Sequence, residues 1–332
     1  MKKILFSVIT IVFMSLSISA QNNANGQESF KPNGKPLVTI FSDLKYSFQN
    51  GKSTPAFELS RSYFGYVYNF SPNFSSKVVF DVANSGGLTP SAFTAFVKNA
   101  YVEYGDKFIK VNMGMVGTNT FSLQESTWGK RYLLKSFQDQ NGFSSSADLG
   151  ASVKLQFTPE LSLDAQLLNG EGFQKVQADS AMKVAVGLTY EPVKHLLVRV
   201  YTDYMSKAAA QTTFNAFIAY TGDNLTLAGE YNLQNGHAMV ANQNYSGVSF
   251  WGTYKTSKIM SIFARYDNLS SNVLAGKATA WNASKDGQLY TAGLEFFPVK
   301  GIAISPNFQY TKPNLASLQP TTNVLVNVGI SF

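Results

Sequence analysis

The 332 residues hold no cysteine, only 14% charged side chains and a full 14% aromatics, with a formal net charge of +7. The absence of thiols excludes disulfides, thiolate catalysis and Cys-ligated metals, and two histidines, His195 and His237, exclude a His-rich metal site. So low a charged fraction, against about 25% in ordinary domains, argues against a soluble secreted enzyme.

Residues 1–20, MKKILFSVITIVFMSLSISA, place Lys2 and Lys3 before an apolar run that ends in small residues. That is the pattern of a secretory signal peptide, too short for a membrane span. Cleavage after Ala20 leaves 332 − 20 = 312 residues, and the loss of two lysines lowers the charge from +7 to +5. Residues 21–35, rich in Asn, Gly and Gln, read as a flexible leader. No later apolar run approaches the roughly 18 residues of a helical span.

From residue 36 the chain falls into segments of about ten alternating residues separated by turn signals. Sixteen strands are predicted, at 36–48, 56–70, 74–83, 95–105, 107–116, 146–157, 160–169, 181–191, 195–205, 211–221, 224–234, 245–256, 258–268, 286–298, 301–312 and 321–332. One set of connections is tight: SPN, GDK, TPE, EPVK, TGDN, TSK and FPVKG. The other set is longer, at 49–55, 84–94, 117–145, 170–180, 206–210, 235–244, 269–285 and 313–320. Short turns at one end and longer loops at the other describe an all-β transmembrane antiparallel barrel over 36–332, with short periplasmic turns and longer extracellular loops. An outward face meeting lipid and an inward face meeting water account for the composition.

Strands that descend toward the periplasm end outward on Phe70, Tyr104, Phe157, Tyr190, Tyr220, Tyr254, Phe296 and Phe332, a lower aromatic girdle at the headgroup level. Upper-girdle candidates are Tyr46, Tyr204, Tyr231, Tyr266 and Tyr310. The inward parity carries the bases Lys45, Arg61, Lys77, Lys110, Lys154, Lys183, Arg199 and Arg265. The same parity carries the acids Asp43, Asp81, Glu103, Asp148, Asp164, Asp203, Glu230, Asp267 and Glu295, so this wall is nearly neutral at 8 − 9 = −1. Charges on that face require a wet lumen, and sixteen strands leave an aqueous channel. Each pair is equally a strut that keeps the wall round.

The longest connection, 117–145, is the third on the outer side. A loop of this length is usually functional. It is predicted to fold into the barrel as a constriction, with a short helix over 126–137 and Lys130, Arg131 and Lys135, against Glu125, facing the opening. His195 falls beside a periplasmic turn and His237 in an outer loop, which makes plain turn residues the leading reading and a rim enzyme the lesser one. NGEG at 169–172 reads as a turn at the top of the seventh strand.

RSYFGYVYNFSPNFSSKVVFDV, NAYVEYGDKFIKVNMGMVG and TWGKRYLLKSFQDQNGFSSSADLGASV resemble porins of the phosphate-selective O and P type as found in Bacteroidetes-like bacteria. The resemblance implies a sixteen-stranded trimeric channel with an infolded third loop. It also implies that a final strand ending in Phe332 is read by the barrel-assembly machinery. The expected function is passive diffusion of small hydrophilic solutes across the bacterial outer membrane, among outer-membrane lipids. A mild anion preference is expected, with no cofactor, no catalysis and no nucleic acid. A plugged or adhesive barrel is the alternative.

Overall fold

In the computed structural model, residues 30–84 and 92–332 are described. The expected signal peptide and leader residues 21–29 lie outside them, as does the middle of the second outer loop. Sixteen strands form in chain order: β1 (Asn33–Gln49), β2 (Lys52–Asn69), β3 (Phe74–Ala83), β4 (Thr94–Gly105), β5 (Ile109–Gly117), β6 (Ala147–Gln156), β7 (Leu161–Leu168), β8 (Lys183–Val193), β9 (Leu196–Ser206), β10 (Ala210–Thr221), β11 (Leu225–Asn235), β12 (Tyr245–Lys255), β13 (Met260–Ser271), β14 (Gly287–Phe296), β15 (Ile302–Pro313) and β16 (Thr321–Ser331). Each pairs antiparallel with its neighbours in sequence, and β1 pairs with β16, so the sheet closes into a barrel. At the seam the Val38 N–H donates to the Phe332 carbonyl at 2.9 Å, and the Phe332 N–H donates back at 3.1 Å. Among the described residues no helix is long and apolar enough to cross a membrane.

Alternation sets the two faces. On β8, Lys183 and Ala185 are buried while Val184, Val186, Leu188 and Tyr190 are exposed. The exposed set is apolar because it meets lipid, where a polar group without a partner costs several kcal/mol. Of the lower-girdle aromatics, Phe70, Phe157, Tyr190, Tyr220, Tyr254 and Phe332 are exposed, and Tyr104 and Phe296 are half-buried. Tyr104 leans on Phe74, ring centroids 5.1 Å apart. At the other rim Tyr46, Tyr204 and Tyr231 are exposed. Tyr266, Tyr290 and Tyr310 stand in a row at 5.1 and 6.2 Å; Tyr290, near the start of β14, is a member that strand-end reasoning omits.

The structure departs from the sequence expectation at four places in the first four strands. β1 begins at Asn33, so the expected leader gives up its last three residues to the sheet. The first outer connection is not a seven-residue loop but the two residues Asn50 and Gly51, with φ of 54° and 71°. Asn-Gly is the preferred pair for a two-residue turn with positive φ at both positions. Two β-bulges also interrupt the alternation. Phe41 pairs with Arg61 and Ser42 with Leu59, leaving Ser60 extra; Val79 pairs with Asn99 and Phe80 with Val97, leaving Lys98 extra.

Candidate functional site

The site is the barrel lumen and the loop that enters it. Residues 118–146, the third outer connection, hold α1 (Ser122–Trp128) and α2 (Phe137–Gln140). The single helix expected over 126–137 is absent, because Gly129 takes the left-handed conformation (φ 66°) that ends α1. The loop lies inside the barrel: Thr120, Phe121, Gln124, Trp128, Phe137, Gln138 and Phe143 are all at most 2% exposed.

Its course can be followed by its bonds to the wall. The Asn119 backbone N–H donates to Gln166 Oε1 on β7 at 2.8 Å. Thr120 Oγ1 and Tyr201 Oη on β9 are 2.8 Å apart, and Gln124 Nε2 donates to Asn215 Oδ1 on β10 at 2.7 Å. Trp128 packs edge-on against Trp251 of β12 and Phe263 of β13, at 6.3 and 5.9 Å between centroids. Lys130 Nζ lies 3.1 Å from Glu295 Oε2 on β14, and Tyr132 Oη donates to Glu295 Oε1 at 2.9 Å. The chain then turns back: Arg265 Nη1 on β13 donates to the Lys135 carbonyl at 2.8 Å, and Gln138 Nε2 reaches Glu230 on β11 at 3.4 Å.

Two glycines make seats for loop rings. A Cβ on Gly329 of β16 would lie 2.8 Å from Tyr132 Cγ, and one on Gly247 of β12 would overlap Phe137. The wall opposite the loop is apolar to match, with Phe217, Ala219, Trp251 and Phe263 buried beneath Trp128, Leu133 and Leu134. Inward apolar residues on β10, β12 and β13 are the signal in the sequence that a loop covers those strands.

The predicted loop cations are inside the lumen, but none is a bare charge. Lys130 is 5% exposed and paired with Glu295. Burial pushes its ammonium below the usual lysine range, and Glu295 opposes that shift. Arg131 bridges Glu125 at 3.0 Å and Asp139 at 2.9 Å, and Lys135 is 3.6 Å from Asp139. Burial raises the Glu125 carboxyl, with Arg131 opposing. Lys130 thus ties the loop to β14, while Arg131, Lys135, Glu125 and Asp139 brace the loop internally, so each basic residue expected to face the opening has a carboxylate partner.

The wall residues divide in two. Lys183, Arg199, Arg265 and Glu230 face inward but are at most 4% exposed, sealed by the loop. Lys183 Nζ donates to Ser144 Oγ of the loop at 3.1 Å, and Arg199 Nη1 and Nη2 donate to the two Asp164 carboxylate oxygens at 2.6 and 3.0 Å. These four, expected to line the pore, are covered by the loop where it packs on β7–β14.

The other wall, β1–β6, keeps Lys45, Arg61, Lys77, Lys110, Lys154 and Glu103 unsealed by the loop. Asp81, 0% exposed, holds Arg61 at 2.6 Å. The bulges add two charges that strict alternation puts in lipid. Glu58 bonds Lys45 at 2.6 Å, and Lys98 sits 4.0 Å from Asp81 and 4.5 Å over the Tyr63 ring. The Tyr132 ring of the loop lies 6.4 Å from Phe41 of β1, which meets Tyr63 of β2 at 5.9 Å, so this edge of the loop faces β1 and β2.

His195 occupies the β8–β9 turn with φ 74°, its N–H bonded to Glu191 Oε1 at 2.9 Å. His237 Nδ1 is 2.6 Å from Gln234 Oε1, and its ring stacks on Trp281 at 5.3 Å. Among the described residues no three His, Cys, Asp or Glu side chains group as a metal site would need.

No family model matches the chain, and no curated protein does. Solved structures do. The outer membrane channel DcaP of Acinetobacter baumannii aligns at 14% identity over 93% of this chain and 100% of that one, with a TM-score of 0.67. OmpF of Salmonella typhi aligns at 10% identity over 90% and 97%, with 0.70. The anion-selective porin of Comamonas acidovorans aligns at 11% identity over 91% and 100%, with 0.67. At these identities the likeness is one of fold. With its exposed apolar belt and aromatic rims, the chain is a closed sixteen-stranded β-barrel of the porin fold, placed in the bacterial outer membrane.

Proposed function

We propose that this barrel is a diffusion pore for small hydrophilic solutes, narrowed by its third outer loop. The observation that carries the reading is the loop's position. It is fixed to β7–β16 by buried bonds and rings, while β1–β6 present charged side chains to the remaining space. Paired charges lining water let polar solutes pass and exclude apolar ones.

A mild anion preference follows from the open wall, not from the loop. Among the described residues neither Lys77 nor Lys154 has a carboxylate within 4 Å. This agrees with the resemblance to phosphate-selective porins at the level of chemistry. A homotrimer is part of the proposal; one similar structure is described as the trimer form of OmpT of Vibrio cholerae. So are outer-membrane lipids as surroundings and the barrel-assembly machinery as the partner that reads the final strand. No catalytic role is assigned to either histidine.

Single-channel recording of the refolded protein in a planar bilayer under a KCl gradient tests this. Stepwise conductance with a reversal potential of anion-selective sign is expected. A correctly folded barrel that never conducts would overturn the pore reading in favour of a plugged or adhesive barrel.

A further inference from the structure

The outer connection between β11 and β12, residues 236–244, is backbone-strained. Ala238 and Met239 hold φ of 55° and 58°, beside Gly236 at 62° and Asn242 at 65°. A side chain at Ala238 or Met239 meets the steric penalty that glycine escapes in this region. Such a conformation persists only where the surroundings over-determine it. Three bonds contribute: Gly236 N–H to Asn244 Oδ1 at 2.9 Å, His237 N–H to the Gln243 carbonyl at 2.7 Å, and Ala238 N–H to Gln211 Oε1 of β10 at 2.8 Å. The His237 ring is the fourth tie, and the one that can titrate.

That ring joins three outer connections. Gln234 gives its amide N–H groups to the Phe143 carbonyl of the infolded loop and to Thr213 Oγ1, both at 2.8 Å. Its Oε1 therefore accepts, and His237 Nδ1, 2.6 Å away, carries the imidazole proton. One face of the ring stacks on Trp281 of the connection 272–286, at 5.3 Å, and its edge meets Tyr245 at 4.8 Å. Tyr245 stacks in turn on Phe143 at 4.3 Å. Trp281 Nε1 donates to the Asn244 carbonyl at 2.8 Å, and Asn244 N–H donates to Asn272 Oδ1 at 2.8 Å, which makes a base for the two connections.

A second proton, on Nε2, would create a cation with no counter-charge. Among the described residues no carboxylate lies within 4 Å of either ring nitrogen. Lys285 of the connection 272–286 repels it. Asp286 is spent on Ser271 and Asn282, and Asp203, behind Tyr245, on Tyr201 and Lys183. Burial and Lys285 together hold the imidazole below the usual histidine range. The docked ring thus favours the neutral form. Docking is fully stable above the ordinary histidine value and weakens as pH falls through it to the lower docked one.

We propose that His237 is an acid-sensitive latch: neutral, it ties the connections 236–244 and 272–286 to the infolded loop, and protonated, it lets them go. Release leaves Ala238 and Met239 free to abandon the left-handed region, so strain stored in the turn assists the opening. It also uncovers Tyr245 and Phe143, and with them the end of the infolded loop that follows α2.

The test is acrylamide quenching of tryptophan fluorescence in the refolded, detergent-solubilised protein, between about pH 7.5 and about pH 5, across the histidine range. Quenching is expected to rise about twofold on acidification, as a half-buried indole comes into solvent. Trp281→Phe should remove the rise, which identifies the reporter. His237→Gln, uncharged at every pH, should abolish it, and His237→Lys should show the acid level at both ends. His195→Gln, in a periplasmic turn, should keep the native transition. A native-sized transition in His237→Gln, or no transition in the native protein, overturns the latch. Bilayer recording of the same samples separates this from the pore reading, on which only the electrical effect depends. Conductance with pH-independent quenching removes the latch alone; a His237-dependent transition without conductance removes the pore alone. Heat-modifiable mobility in gels confirms that each variant is a folded barrel.

Discussion

Lys130 and Glu295 form an ion pair 3.1 Å long in which both side chains are about 95% buried, and it joins the third outer loop to the far wall of the barrel. Glu295 also accepts from Tyr132 at 2.9 Å and from Ser261 at 3.0 Å. Breaking a buried pair by removing one member leaves an uncompensated charge, at a cost of about 3–5 kcal/mol. Lys130→Ala and Glu295→Gln should therefore each loosen the loop, seen as noisier and larger single-channel steps and faster protease cleavage within 118–146. Lys130→Met with Glu295→Leu should restore much of the quiet state. If the single variants record like the native protein, the pair does not hold the loop.

Trp128 gives a second, apolar handle on the same loop. It is 1% exposed, and its indole N–H donates to the Leu134 carbonyl at 2.9 Å. Truncating a buried Trp to Ala costs about 3–5 kcal/mol. The barrel strands do not depend on this ring, so Trp128→Ala should keep β-sheet circular dichroism and heat-modifiability while conductance rises. Loss of the barrel itself would mean that the loop is needed for folding.

The inside–outside assignment is tested by exchanging two adjacent residues. Lys77 faces the lumen, and Val78 is 39% exposed on the lipid side of β3. Exchanging them conserves composition but moves a cation into lipid, where it costs about 2–4 kcal/mol near the midplane. The exchanged protein should show a much lower refolding yield into lipid vesicles than Lys77→Val alone. Equal yields would invert the assigned faces.

Asp106 makes a pH-dependent prediction in a periplasmic turn. Its Oδ1 accepts from the Phe108 and Ile109 N–H groups at 2.7 and 2.9 Å, and these bonds hold its carboxyl below the usual carboxylate range. A depressed folded value means that the stabilisation is present above the unfolded carboxylate value and is lost as pH falls through the folded one. Side-chain carboxyl NMR should show Asp106 titrating below a free aspartate, and Asp106→Asn should remove that transition. Titration at the ordinary value would show that the turn does not favour the charged form.

Strand number, closure and the outward aromatics were legible because lipid imposes a period of two on every strand. The bulges were not legible. Ser60 and Lys98 are ordinary strand residues in sequence, yet each shifts the faces of what lies beyond it, bringing Glu58 and Lys98 itself inward. The loop's entry into the barrel was legible from its length, but its charge role was not. A cation's partners come from strands far away in sequence: Glu295 is 165 positions from Lys130, and nothing near Lys130 names it. The seats were visible in hindsight as inward Gly247 and Gly329, positions where a lumen-facing side chain is missing.

The hydrogen bonds between Val38 and Phe332 have a consequence for assembly. Until the last strand arrives, the first has no partner on one side, and fifteen strands form a ribbon with two open edges. Such edges recruit other chains, and closing contacts across nearly the whole chain form slowly. This barrel therefore cannot stabilise itself piecemeal as it is made. Joining the first strand to the last removes both edges at once, and with them the pairing surface that a second copy could use.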